Sequence, residues 1–404
     1  MKSPAKLVVL TGALACAVAG CGAEANPADE NGVAIGLLLS YSGYLSAQSI
    51  NSERALLMAI EAGNDAGGIN NHPLRILARD TASDPGKVLA RARELTDAGV
   101  KLVIGPDTSD LAITARAALR DRTVILPSFA TSSDVLFKSP SWFVIGASSG
   151  RIACELAAQL QADGRKNPLV ILNPTGYNAS LAWTLTNSYG MPKFVLPSNE
   201  VPNMATIVPI LSARADAFVL AAFPPAAISL VYAVLANSAL PDPTRWYLSP
   251  TLHSPIFIES LPKGALTGAR GVSQGATDDG EAFRASFAAR WDDRAQDDAY
   301  PFYDAGALTV LALEHALARQ GAIPEGQGLA EHIIAVTHPG GMPVRWNELG
   351  QGMALLRQGV EVTYVGLSGQ LQFDTLGMSS STVTKWWTIG SEDFADSVGA
   401  GSCP

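Results

Sequence analysis

The chain has 404 residues, 48% of them hydrophobic and 16% charged, which suits a folded globular protein and exceeds what one core comfortably serves. Two lobes are therefore expected. Lys and Arg together number 28 against 37 Asp and Glu, with no basic run and no basic patch interleaved with aromatics, so a nucleic-acid partner is excluded.

In chain order, the first segment is a leader. Lys2 and Lys6 precede an apolar, small-residue run over residues 7–20, too short to cross a hydrocarbon core of ~30 Å as an anchor. It ends Val18-Ala19-Gly20-Cys21, which resembles a bacterial lipobox. Residues 1–20 are expected to be removed as a signal peptide, leaving Cys21 as a lipidated amino terminus. Polar residues 21–32 follow as a tether. No later segment approaches a transmembrane span, so membrane contact is expected through the lipid alone. Once Cys16 leaves with the leader, Cys154 and Cys403 are the remaining thiols, and an oxidising compartment permits a disulfide without requiring one.

From residue 33 short apolar runs alternate with amphipathic ones. Strands are predicted at 33–39, 74–79, 100–104 and 124–126, with helices at 52–64, 85–98 and 111–120 between them. After Ser148 a similar series follows. Helices are predicted at 151–162, 180–188, 207–213 and 227–237, and strands at 169–172, 194–196, 217–221 and 246–248. Helices at 281–291 and 304–319 precede a β-rich end at 364–373 and 384–388. Regular alternation implies right-handed crossovers and parallel sheets, hence an α/β fold of two doubly wound lobes.

Loops after parallel strands lead into helix amino termini, where ligands gather. The candidates are residues 40–44 (SYSGY), 105–109 (GPDTS) and 128–132 (SFATS). Ser109 admits two readings, a helix cap or a donor to a bound acceptor. Catalysis finds no support: there is no G-x-S-x-G elbow, GLSG at 366–369 lacking its spacing, and no P-loop. The five histidines form no H-E-x-x-H pair, so neither metal nor cofactor is expected.

Several stretches taken in order resemble the type I periplasmic solute-binding proteins of the branched-chain amino acid and amide group. They are IGLLLSYSGYLS (35–46), NDAGGINNHPLRILARD (64–80), TASDPGKVLARARELTDAGVKLVIGP (81–106), PSFATS (127–132), FYDAGALTVLALEHAL (302–317) and YVGLSGQLQFDTLG (364–377). The resemblance covers nearly the whole mature chain. It implies a three-crossover hinge, with residues 33–145 and 276–365 in the first lobe and 146–275 and 366–404 in the second. Hinge strands are expected near 144–147, 271–275 and 368–373. It further implies a non-enzymatic, monomeric component of an ABC importer, with a small polar ligand closed between the lobes and a membrane permease as partner. A sensor or cell-envelope interaction module of the same fold is the alternative.

Carried over residue by residue, the resemblance matches Ser109 to a carboxylate-binding serine, and Thr131 with the Phe129 carbonyl to a second polar cluster. Tyr177 and Phe223 match aromatic positions of the second lobe; Tyr41, Tyr44 and Tyr303 are candidates for an aromatic wall. Thr251 stands where amino-acid binders carry an acidic residue, which leaves a ligand ammonium without its usual countercharge unless Asp304 or Asp278 supplies one. Asp107 and Asp110 are expected near the entrance. The family's chain end returns to the second lobe, where Cys154 lies on the first helix, and this implies a Cys154–Cys403 disulfide.

Overall fold

A computed structural model describes residues 32–127, 129–132, 135, 140–196, 214–237, 240–391, 393–397, 399 and 403. The leader with Cys21, the helix expected at 207–213 and Ser128 lie outside them.

The first lobe is built on a five-stranded parallel sheet in the order β2-β1-β3-β4-β5. Its strands are β1 (Val33–Leu39), β2 (Leu74–Asp80), β3 (Leu102–Ile104), β4 (Thr123–Pro127) and β5 (Trp142–Ile145). Helices α1 (Ser46–Asp65), α2 (Pro85–Asp97) and α3 (Ser109–Leu119) connect the first four strands. The runs of β1, β3, β4 and β5 are apolar without alternation because both faces are covered, whereas β2, at the sheet edge, carries Arg75, Arg79 and Asp80. Ile35, Leu37 and Leu39 face one core, and Leu38 and Val103 face another with Val88 and Leu111.

The second lobe begins with α4 (Ser149–Ala162) and contains β6 (Pro168–Leu172), α5 (Gly176–Tyr189), β7 (Lys193–Val195), β8 (Ala217–Ala221), α6 (Pro224–Asn237), β9 (Trp246–Leu248) and β10 (Arg270–Gln274). Its sheet has seven strands in the order β16-β15-β10-β9-β8-β6-β7, where β15 (Thr384–Ile389) and β16 (Phe394–Ser397) come from the end of the chain; β11 (Met342–Arg345) and β12 (Val362–Val365) form a separate parallel pair. The chain then returns to the first lobe, where the helix Ala299–Gln320 runs against α1 and is buried from Ala299 through Ala316. Small residues permit that approach. A Cβ at Gly306 would lie 2.9 Å from the Ala59 Cβ and 3.1 Å from the Leu56 carbonyl oxygen.

The expected third crossover moves. Residues 366–382 stay with the first lobe, because Leu367 and Leu371 join its core and β13 (Gly369–Phe373) pairs with β14 (Ser379–Thr382) beside β5, where Val144 N–H donates to the Gly377 carbonyl at 2.8 Å. The crossing occurs at Val383, after which β15 (Thr384–Ile389) and β16 (Phe394–Ser397) add antiparallel strands to the second sheet. The second and third crossovers are tied together there: Gly275 N–H donates to the Val383 carbonyl, Val383 N–H to Ser368, and Thr277 N–H to Leu367.

Cys154, on α4, is bonded to Cys403, with a sequence separation of 249 and their Cα atoms 6.0 Å apart. Closing so long a loop restricts the unfolded chain strongly, so breaking it by Cys154→Ser with Cys403→Ser is expected to lower stability by about 2–5 kcal/mol. Titrating the denatured, unreduced protein should find neither of these two thiols free; two free thiols would reject the bridge.

Candidate functional site

The carboxyl ends of β1, β3 and β4 face those of β6, β8 and β9, and the loops beyond them meet between the lobes. At the centre Leu45 and Phe129 of the first lobe pack on Tyr177 and Phe223 of the second; all four are at most 5% exposed. The Phe129 ring lies 5.5 Å from Tyr177 and 6.0 Å, edge-on, from Phe223, and Tyr44 reaches Phe223 at 5.4 Å. Tyr177 precedes the helix expected at 180–188, yet it occupies the first turn of α5. Burial, with the charge of Asp298 nearby, raises its hydroxyl above the ordinary phenol range and keeps it a donor.

The polar wall belongs to the first lobe. Ser109 is fully buried at the start of α3 and does not cap that helix. Its hydroxyl donates to the Phe129 carbonyl at 3.0 Å and accepts from Ser132 N–H at 3.2 Å, so it shapes the 129–132 loop. Neighbouring Thr131 Oγ1 and Ser132 Oγ are buried with no hydrogen-bond partner among the described residues. An unpaired buried hydroxyl costs about 1–3 kcal/mol, and two at one end of an inter-lobe cleft are suited to a polar group brought from outside.

The remaining candidates fall elsewhere. Tyr303 does not join the wall: it lies in the first-lobe core, its ring 5.1 Å from Phe283 and 5.9 Å from Trp346, its hydroxyl donating to the Trp346 carbonyl. Tyr41 packs on the same core and donates to Glu53 at 2.7 Å. Thr251 donates to the Ala222 carbonyl at 2.6 Å and bonds Ser249, bracing the loop that carries Phe223. Asp107 turns inward rather than to the entrance, accepting from Ser40 N–H, Ser40 Oγ and Ser49 Oγ. Asp304 cannot serve as a countercharge, because Tyr364, Leu367 and Ser368 occupy its carboxylate.

Two acidic residues were not foreseen. Asp298, 4% exposed, accepts from the Gln48 side chain and stands close enough to Tyr177 to act on its hydroxyl. Asp297 joins the lobes: Ser273 and His253 bond its Oδ2, each at 2.5 Å, and Lys385 approaches Oδ1 at 2.7 Å. Burial alone would raise the Asp297 carboxyl, but His253 and Lys385 outweigh it and hold it well below the usual carboxylate range. The signal for both was present in the Asp297-Asp298 pair just before an apolar helix, a place where carboxylates favour the helix dipole. A cavity of about 650 Å³ beside the crossovers, lined by Thr277, Arg284, Lys385 and Trp386, includes none of the candidate loop residues. Among the described residues no cluster of three metal-ligating side chains occurs, and no helix is long and apolar enough to cross a membrane.

Two open, mostly parallel sheets, three crossovers, and aromatic and hydroxyl groups meeting between the lobes define a two-lobed solute-binding protein. The chain belongs to the periplasmic binding protein family, whose model matches residues 32–354, and its fold is that of the type I members. Among solved structures it is similar to the branched-chain amino acid transporter substrate-binding protein LivJ of Streptococcus pneumoniae in complex with isoleucine, at 16% identity and TM-score 0.72 over 91% of this chain and 100% of that one. It is also similar to the leucine-binding protein LivK of Thermotoga maritima, at 14% identity and TM-score 0.73 over 91% and 98%. The solute-binding protein of an ABC transporter from R. palustris in complex with benzoate gives 16%, TM-score 0.70 and coverage of 92% and 97%. No curated protein sequence matches the chain. At these identities the likeness establishes the fold.

Proposed function

We propose that the protein is the exported solute-binding component of an ABC importer, held to the cell envelope by a lipid on Cys21, and that it captures a small molecule with an apolar body and one polar end. The carrying observation is the inter-lobe cluster of Leu45, Phe129, Tyr177 and Phe223 beside the unpaired hydroxyls of Thr131 and Ser132. The aromatic residues receive the body and the hydroxyls meet the polar end. Transport is supported by the family and by the transporter components among its structural relatives.

Charge narrows the ligand. No Lys or Arg lies in residues 40–44, 105–109, 128–132 or 174–178, so a second ligand carboxylate would meet only neutral donors. Thr251 and Asp304 are spent on structure and Asp278 lines the cavity beside the crossovers, so an ammonium would have to share Asp298 with Gln48. Neutral amides and monocarboxylates, aromatic ones included, therefore rank first, aliphatic amino acids second and acidic amino acids last.

Thermal-shift measurements followed by titration calorimetry with benzoate, a simple amide, leucine and glutamate test this. A ligand present at 100 times its Kd stabilises the native state by about 2.7 kcal/mol. Stabilisation by benzoate or the amide is expected; micromolar glutamate binding would overturn the charge argument, and no response across amides, acids and amino acids would remove the capture reading. Intact mass of membrane-extracted protein should begin at a lipidated Cys21.

A further inference from the structure

One carboxylate crosses from lobe to lobe at the mouth of the cleft. Asp110, in the first turn of α3, accepts the backbone N–H of Gly176 with both oxygens, at 2.9 and 2.8 Å. Gly176 opens α5, and the residue before it, Thr175, provides no side-chain cap for that helix. The first N–H groups of a helix have no intrahelical partner and carry a positive partial charge. The second lobe's helix is thus capped by a residue of the first lobe.

The approach is close enough to specify glycine. A Cβ at position 176 would lie 2.6 Å from Asp110 Oδ1 and 3.2 Å from the Ser109 Cβ. The amino termini of α3 and α5 consequently confront each other, and their like partial charges would oppose closure if nothing stood between them. The Asp110 carboxylate stands there and favours both helices at once.

We infer that Asp110 is a positioning residue for solute capture: a built-in anion that latches the closed lobes by capping α5 from across the cleft. Once the lobes part, the bond is lost, Asp110 is hydrated on its own helix, and α5 has no side-chain cap. The latch therefore favours the closed state without drawing on a carboxylate from the ligand. This inference concerns closure itself and does not depend on which solute binds.

The test needs no ligand. Spin labels on exposed positions, one per lobe, report the inter-lobe distance distribution in the full-length protein, and hydrogen exchange reports the Gly176 amide. In Asp110→Ala the Gly176 amide is expected to exchange roughly 10- to 100-fold faster, the effect of losing a charge-assisted bond, and the distances to shift toward an open population. Asp110→Asn, which keeps an acceptor oxygen without the charge, should lie between. Gly176→Ala keeps the carboxylate but places a methyl group against it, so it should also open the lobes; it preserves the test if Asp110→Ala fails to fold. Amides in β1 and β6 should keep their protection in every variant, separating a latch from a general loss of structure. An unchanged distance distribution and unchanged exchange of the amide at position 176 in Asp110→Ala, or in Gly176→Ala where that variant stands in, would overturn the inference.

Discussion

Asp304→Ala is expected to lower folding stability by about 3–5 kcal/mol, read from the denaturant midpoint at unchanged slope. Asp304 is fully buried; Oδ1 accepts from the Tyr364 hydroxyl at 2.7 Å and Leu367 N–H at 2.8 Å, and Oδ2 accepts from Ser368 N–H at 2.8 Å. Alanine would leave three buried donors unpaired, each costing about 1–3 kcal/mol before relaxation. Burial pushes the Asp304 carboxyl above its ordinary range, against the pull of these donors. Asparagine is no remedy, because its amide nitrogen must face either the Ser368 N–H or the pair on Oδ1. The damage should also reach the hinge: Leu367 and Ser368 are the residues whose carbonyls receive the second and third crossovers. A variant as stable as the parent would show that this turn holds without its carboxylate.

Phe129→Ala is expected to act on closure rather than folding. The ring belongs to the cross-lobe cluster and not to either lobe's core, so its contacts with Tyr177 and Phe223 form only when the lobes meet. Burying a phenylalanine contributes about 1.5–3 kcal/mol and each aromatic pair about 0.5–1.5 kcal/mol more. Truncation should therefore weaken closure by about 2–4 kcal/mol, which is roughly 30- to 1,000-fold in affinity for whichever solute the screen identifies. The backbone carbonyl that accepts from Ser109 remains, so the denaturant midpoint should move little. Unchanged affinity, or a loss of stability as large as the loss of affinity, would place the ring in a core instead of the cleft.

Much of this architecture was legible from periodicity. Apolar runs such as residues 33–39 and 217–221, alternating with helical patterns, specify strands buried on both faces, and that burial requires parallel sheets covered by helices. Strand ends marked the loops at 105–109 and 128–132, because the ends of parallel strands place such loops together in any doubly wound sheet, while Tyr177 and Phe223 were picked out by the family resemblance; Phe129, Tyr177 and Phe223 pack in one cluster between the lobes.

What local pattern does not encode is the direction a side chain takes once elements from distant parts of the chain pack. Tyr303 and Asp304 lie in the second turn of an apolar helix that presents nearly every face to protein, so the same residues fit a cleft wall or a core, and packing against Phe283, Trp346 and the 366–368 turn decided for the core. Residues 364–373 read as β, and the resemblance assigned 366–404 to the second lobe; Leu367, Leu371 and the pairing beside β5 keep 366–382 with the first lobe. In sequence Asp110 is expected only near the entrance, and Gly176 precedes the helix expected at 180–188. Their bond exists because three crossovers bring two helix amino termini face to face across 66 residues of chain, and a contact of that kind has no local signature.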